Sequence, residues 1–302
     1  MKKQTIISLG LIGIGIILIG ISSTFFKGDF SVYNSKNISY EEKTYECSSK
    51  ITSIEVDESS NSIIVTAGNK DYPYIEYMER ANYLEYEISE EKGVLSVKRK
   101  RDIRNNISFG IDFTDTSFHV YLPKDYNGDL SVSTSSGSIN LSEINAKNID
   151  LNSSSGSIHS EDINGNTILS HSSSGSQRFS DIDAASLTCE TTSGSQRLSN
   201  VSADSVLCDA SSGSTHLENV ASDSVSIDTT SGSIRFQNLK ADQIYILATS
   251  GSISGSIDGK ESDYSISSSV TSGSCNLNDR NSGSKELKVK ATSGSINISF
   301  ED

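Results

Sequence analysis

Glu190, Asp209 and Asp228 recur at intervals of nineteen residues, and so do Cys189 and Cys208. Three carboxylates brought together can hold a divalent cation, because calcium takes several carboxylate oxygens. Two thiols brought together can close a disulfide, or can fill a core as small apolar groups. Arg178, Arg197 and Arg235 fall in a second series with His159 and His216, and offer the acids a plainer outcome, an exposed ladder of ion pairs. Catalysis finds less support. His119, His159, His171 and His216 have no serine, cysteine or aspartate partner at a recognised spacing, and no G-x-S-x-G, H-E-x-x-H or P-loop occurs. Nothing among the many carboxylates selects two as a glycosidase pair. No catalytic or cofactor-binding residue is therefore expected. The basic run Lys98-Arg99-Lys100-Arg101, with Arg104, reads as a solvated hairpin end, or as a contact to anionic wall polymer or lipid headgroups.

The shared interval belongs to a repeat. Ser-Gly-Ser carries its glycine at Gly137, Gly156, Gly175, Gly194, Gly213, Gly232 and Gly251, each nineteen residues after the last. Gly273 and Gly294 follow after steps of twenty-two and twenty-one, with Gly283 out of phase. Counted from each glycine as position 1, apolar residues alternate at positions 3 and 5 (Ile139 and Leu141), stand at 8 (Ile144), and alternate again at 13 and 15 (Ile149 and Leu151). Period two is the signature of strands. Position 7 holds turn formers: Glu143, Asp162, Asp181, Asn200, Asn219 and Asn238. The arginines stand at position 4, the acids at 16 and the two cysteines at 15. One coil cannot bury its own apolar row, but stacked coils can. The fold expected is all-β, a single-stranded β-solenoid with in-register coils about 4.8 Å apart. A ladder of hydroxyls is expected at position 18, from Ser135 to Thr249. These hydroxyls flank a glycine turn rather than tiling a flat T-x-T face, which argues against ice binding.

Composition agrees. The chain of 302 residues has a net charge of −14, no tryptophan and 2 prolines, so neither a large helical core nor a nucleic-acid partner is expected. Four cysteines, with Cys47 and Cys275 far from the pair, are too few for a disulfide scaffold. Ile6 to Phe26 is twenty-one residues without a charge, preceded by Lys2 and Lys3. That pattern predicts a transmembrane helix with the bulk of the chain outside the cytoplasm, a cleaved signal peptide being the alternative. The organisation expected is a cytoplasmic tip (1–5), the span (6–26), a polar stalk (27–48), a β-rich cap or first irregular coils (49–134) and the solenoid (135–302). A separate β-sandwich is the alternative for the fourth segment.

The order of a β-rich opening, a Tyr121-Leu122-Pro123-Lys124 step before Leu130-Ser131-Val132, and Ser-Ser-Gly-Ser-Ile coils from Ser135 resembles a known bacterial family. It is the membrane-anchored, adhesin-like β-strand-repeat family, which includes the LiaG-like proteins of Gram-positive envelope-stress operons and is largely without known function. The resemblance covers residues 50–302 and implies a β-solenoid and an adhesin-like role, with no catalytic residues to carry over. The function expected is that of a non-catalytic, membrane-anchored extracytoplasmic solenoid that meets wall polymer or envelope proteins. A carbohydrate-binding or carbohydrate-cleaving β-helix is the alternative.

Overall fold

Position 7 of each regular coil bends the chain in a way few residues tolerate. In the computed structural model, which describes residues 40–81, 84–100 and 115–301, Glu143, Asp162, Asp181, Asn200, Asn219 and Asn238 all have φ between 54° and 59°. Asn and Asp enter this left-handed region more readily than other side-chain-bearing residues. Their side chains also link along the axis. The Nδ2 of Asn238 donates to Asn219 at 3.0 Å, that of Asn219 to Asn200 at 2.9 Å, and that of Asn200 to Asp181 at 3.0 Å.

The coils run through β9 (Ile139–Ser153), β10 (Ile158–Ser172), β11 (Gln177–Thr191), β12 (Gln196–Ser212), β13 (Thr215–Ser231) and β14 (Ile234–Ser250). Each strand pairs in parallel with the next, and every partner lies nineteen residues on, as in Ile158↔Gln177 and Leu187↔Val206. Positions 3, 5, 8, 13 and 15 point inward as the periodicity predicts. Positions 10 and 17 do too: Ala146, Ala184, Ala203 and Ala241 at the first, Thr134, Ser153, Ser172 and Thr191 at the second, are buried. Two successive outward residues at 6–7 and at 11–12 break the alternation. With the glycine corner, these breaks divide each coil into three straight runs, hence three faces.

The expected hydroxyl ladder at position 18 does not form. The hydroxyls that matter sit one residue earlier and serve the glycine corner. Ser153 Oγ donates to the carbonyl of Gly156 at 2.7 Å, Ser172 Oγ to that of Gly175 at 2.8 Å, and Thr191 Oγ1 accepts from the Gly194 N–H at 3.0 Å. Position 18 instead contributes its backbone, as in Ser173 N–H to Ser153 O at 3.0 Å.

At both ends the spatial order departs from chain order. Near the N-terminus, β2 (Ser53–Glu58) and β3 (Ile63–Ala67) form one coil. It lies between β8 (Asp129–Thr134) with β9 on one side, and β6 (Val94–Arg99) with β7 (Phe118–Leu122) on the other. The chain thus travels outward to β7 and returns over the nested coil through Pro123-Lys124. The antiparallel strands β4 (Tyr74–Glu79) and β5 (Tyr86–Glu91) pair with β7 and β6 and end the parallel stack. All these strands join one sheet, so no separate sandwich forms. β1 (Glu41–Glu46) pairs antiparallel with β4, inside the segment expected to be polar stalk. Its few apolar residues hid it. At the far end, β17 (Lys285–Ser293) lies between β14 and β16 (Tyr264–Ser272), and β18 (Ile296–Glu301) lies beyond β15 (Ile253–Asp258). The last coil in sequence is therefore threaded between earlier ones.

The capping end contains a buried carboxylate. Glu58 has no exposed side-chain surface, and Arg99 approaches it at 3.1 Å. It also accepts from Tyr86 Oη at 3.0 Å and from the backbone N–H groups of Ser60 and Asn61. Burial pushes the Tyr86 phenol well up, so it remains a donor. Glu58→Ala leaves these donors without their acceptor and is expected to cost about 3–5 kcal/mol. Urea melts of the full chain measure it, with Glu58→Gln expected to lose less.

The span expected at 6–26, the cytoplasmic tip, the stalk up to residue 39, and Arg101 and Arg104 lie outside the described residues. Among the described residues no helix is long and apolar enough to cross a membrane.

Candidate functional site

The glycines of the repeat stand in one file because nothing larger fits there. A Cβ on Gly156 would lie 1.7 Å from the carbonyl oxygen of Gly137, one on Gly175 1.9 Å from that of Gly156, and one on Gly194 2.0 Å from that of Gly175. The file continues through Gly213, Gly232 and Gly251, then takes Gly294 before Gly273, with Asn61 ahead of Gly137. Gly283 lies off the file, against the backbone of Tyr264. This contact locks the coils in register, and register aligns the outward side chains in columns.

Position 16 forms one column. Glu190, Asp209 and Asp228 are register partners in succession. Among the described residues no three His, Cys, Asp or Glu side chains converge as a metal ion requires, so these acids stand in line rather than around a point. Nor do they pair with the arginines. Glu190 meets His171 at 3.5 Å, one coil back on its own face. The glycine corner separates positions 16 and 4 onto different faces, which alternation alone did not reveal.

Position 4 forms the other column, on the face that follows the glycine. Asn140, His159, Arg178, Arg197, His216 and Arg235 are successive register partners. Arg197 pairs with Glu218 at 3.1 Å, His216 approaches the same carboxylate at 3.9 Å, and His159 approaches Glu161 at 3.7 Å. No ion pair engages Arg178 or Arg235 among the described residues. Burial first, then the Arg197 and Arg235 guanidiniums, hold the His216 imidazole below its usual range, with Glu218 opposing them.

The sequence profile of Toastrack DUF4097 matches residues 51–207 and again residues 186–302. The chain belongs to the Toastrack DUF4097 family. Among solved structures, a candidate lipid-binding protein from Parabacteroides distasonis is 18% identical, with 88% of this chain and 98% of that one covered and a TM-score of 0.54. A candidate adhesin from Bacteroides fragilis is 12% identical over 87% and 98% of the two chains, with a TM-score of 0.46. A candidate adhesin from Parabacteroides merdae is 14% identical over 88% and 98%, with a TM-score of 0.33. No curated protein matches the chain. The likeness to the first of these structures shows the fold alone.

Inside this Toastrack coil stack lies a polar core that the apolar periodicity does not predict. Gln177, Gln196 and Thr215 occupy inward position 3 and are buried. Gln196 Nε2 donates to the carbonyls of Cys189 at 2.6 Å and Asp209 at 2.9 Å, and Thr215 Oγ1 donates to Gln196 Oε1 at 3.0 Å. The signal was available: polar residues at an otherwise apolar position in three consecutive coils. Cys189 and Cys208 lie in register beside them, fully buried and present as free thiols. Burial pushes the Cys189 thiol well up, so it stays protonated.

At the position-7 corner an open groove of about 510 Å³ is lined by Glu143, Asp162, Asp181, Asp183 and Asn200, with Lys124 at one end. On the position-16 face, burial and then the neighbouring Asp209 charge raise the Asp228 carboxyl above its usual range. Its protonated form is thus favoured by folding. That contribution is present below the ordinary aspartate value and is lost as pH rises through the raised one. Asp228→Asn is expected to increase Tm modestly at pH 7 and to make no difference at pH 3. Thermal melts at the two pH values check this.

Proposed function

We propose that this protein is a non-catalytic, membrane-tethered, extracytoplasmic solenoid that presents repetitive faces to cell-envelope partners. The observation that carries the reading is the glycine-locked register. It turns single residues per coil into straight columns of outward side chains at strand spacing, a geometry made for recognising an extended surface. The Toastrack membership and the adhesin descriptions of structural neighbours agree with an adhesin-like role. The tether rests on the uncharged stretch from Ile6 to Phe26 after Lys2-Lys3.

A pull-down from intact cells with the full chain tests the role, and should retrieve envelope components. A hydrolysis screen against glycans tests the competing carbohydrate-cleaving reading, for which the carboxylate-lined groove is the place to look. Cleavage that disappears on Asp162→Asn or Asp181→Asn would overturn the proposal.

A further inference from the structure

The position-4 column is a cationic strip on an acidic protein. Parallel register sets Arg178 beside Arg197, then His216, then Arg235, at about 4.8 Å per coil. Like charges directly opposite one another on neighbouring strands are destabilising. Nevertheless, among the described residues neither Arg178 nor Arg235 has an acidic partner, although the chain's net charge is −14. Among the described residues Glu218 is the one acid that answers the central pair of Arg197 and His216, with Glu161 beside His159 at one end. The acids of position 16, which could have neutralised the strip, lie around the glycine corner.

What flanks the strip narrows the partner. Position 2 on one side is a row of serines, Ser176, Ser195, Ser214 and Ser233, and position 6 on the other holds Ser180 and Ser199 beside the central arginines, between Glu161 and Glu218 in the coils on either side. The exposed large apolar side chains among the described residues, Tyr72 and Leu169, both lie off this strip. A lipid surface would find nothing apolar to bury there. A hydroxyl-rich chain with regularly spaced anionic groups would meet guanidiniums and hydroxyls together, repeated along one line.

We propose that this face binds an acidic polysaccharide laid along the coil axis, its carboxylates on Arg178, Arg197 and Arg235 and its hydroxyls on the flanking serines. Guanidinium groups suit carboxylates because their N–H donors match the two oxygens. The inference deepens the envelope-partner reading and rests on it.

The test is titration of the full chain in detergent with polygalacturonate, with dextran as a neutral glycan and polyphosphate as a polyanion without sugar. The expected result is binding of polygalacturonate that weakens with added salt, with no binding of dextran and weaker binding of polyphosphate. Joint substitution Arg178→Gln, Arg197→Gln and Arg235→Gln should reduce the affinity by about tenfold or more, since charge-assisted hydrogen bonds are the strong ones. The triple variant should keep its Tm or raise it slightly, because these side chains are exposed and the change relieves the repulsion between Arg178 and Arg197. Lys288→Gln with Lys290→Gln, on a different face, should leave binding intact. Absence of binding at low salt would overturn the inference, as would undiminished binding by the triple variant or equal binding of polyphosphate. Acidic polysaccharide still retrieved from cells by the triple variant would sink the inference alone. Retrieval by neither protein would sink the functional reading beneath it.

Discussion

Gly194→Ala is expected to break the stack at its middle. The new Cβ would stand 2.0 Å from the Gly175 carbonyl oxygen and 2.6 Å from its carbon. Both are backbone atoms held by parallel hydrogen bonds on either side, so no side chain can turn away. Relief requires two coils to part, and parting them releases the pairing of β11 with β12. Overfilling a packed interior costs about 1–3 kcal/mol where side chains can yield, and more is expected here. Hydrogen exchange is the suitable measurement, because a long repeat array need not unfold in one step. Amides of β11 and β12 should exchange faster than those of β9. Gly165→Ala is the internal control. Its Cβ would meet the Ala146 oxygen at 3.3 Å, at a position where four other coils already carry alanine. That change should be neutral or slightly stabilising, by about 0.4–1 kcal/mol at most. Equal exchange in the two variants would refute the role given to the glycine file.

Deleting residues 284–301 is expected to unfold more than the residues removed. In a plain solenoid the last coil in sequence is last in space, and its loss exposes one fresh end. Here β17 separates β16 from β14, and β18 is covered in turn by the segment around Cys275 and Asn276. Without them β16 has no parallel partner, and Tyr264 loses its ring contact with Phe300. Leu287, Val289, Ile296 and Ile298 leave the core as well, each worth up to about 1.5–3 kcal/mol of burial. Residues 264–280 should therefore lose their exchange protection together with the deletion, while β9 to β12 keep theirs. Retained protection in 264–280 would contradict the threaded order.

That order matters to the ends of the molecule. An open β edge invites another chain. The outer edge of β16 is met by Arg280, whose N–H and carbonyl bond Ile266, and by Asp279, which accepts from the Ser268 N–H at 2.8 Å. Asn276 does the same for β18, exchanging two hydrogen bonds with Ile298. Short irregular chain and side-chain amides thus occupy edge groups that a further coil would have used.

The coil is legible in the pattern of residues along the chain. Nineteen-residue spacing, period-two alternation and Asn or Asp at position 7 state the strand runs and one of the corners, because burial and backbone sterics act within each coil and repeat with it. Alternation could not reveal position 10, where alanine, glycine and serine carry little hydropathy, nor position 17, whose buried hydroxyls bond the glycine corner. It also could not say that Arg178 and Asp228 sit around a corner from one another, since ion pairing depends on which face a residue joins rather than on its distance along the chain. The threading of the terminal coils likewise emerges only when the coils pack together. Every coil offers nearly the same apolar ladder to its neighbours, so local pattern leaves their order open. The structure covers its two end surfaces, by β1, β4 and β5 at one end and by residues 275–280 at the other.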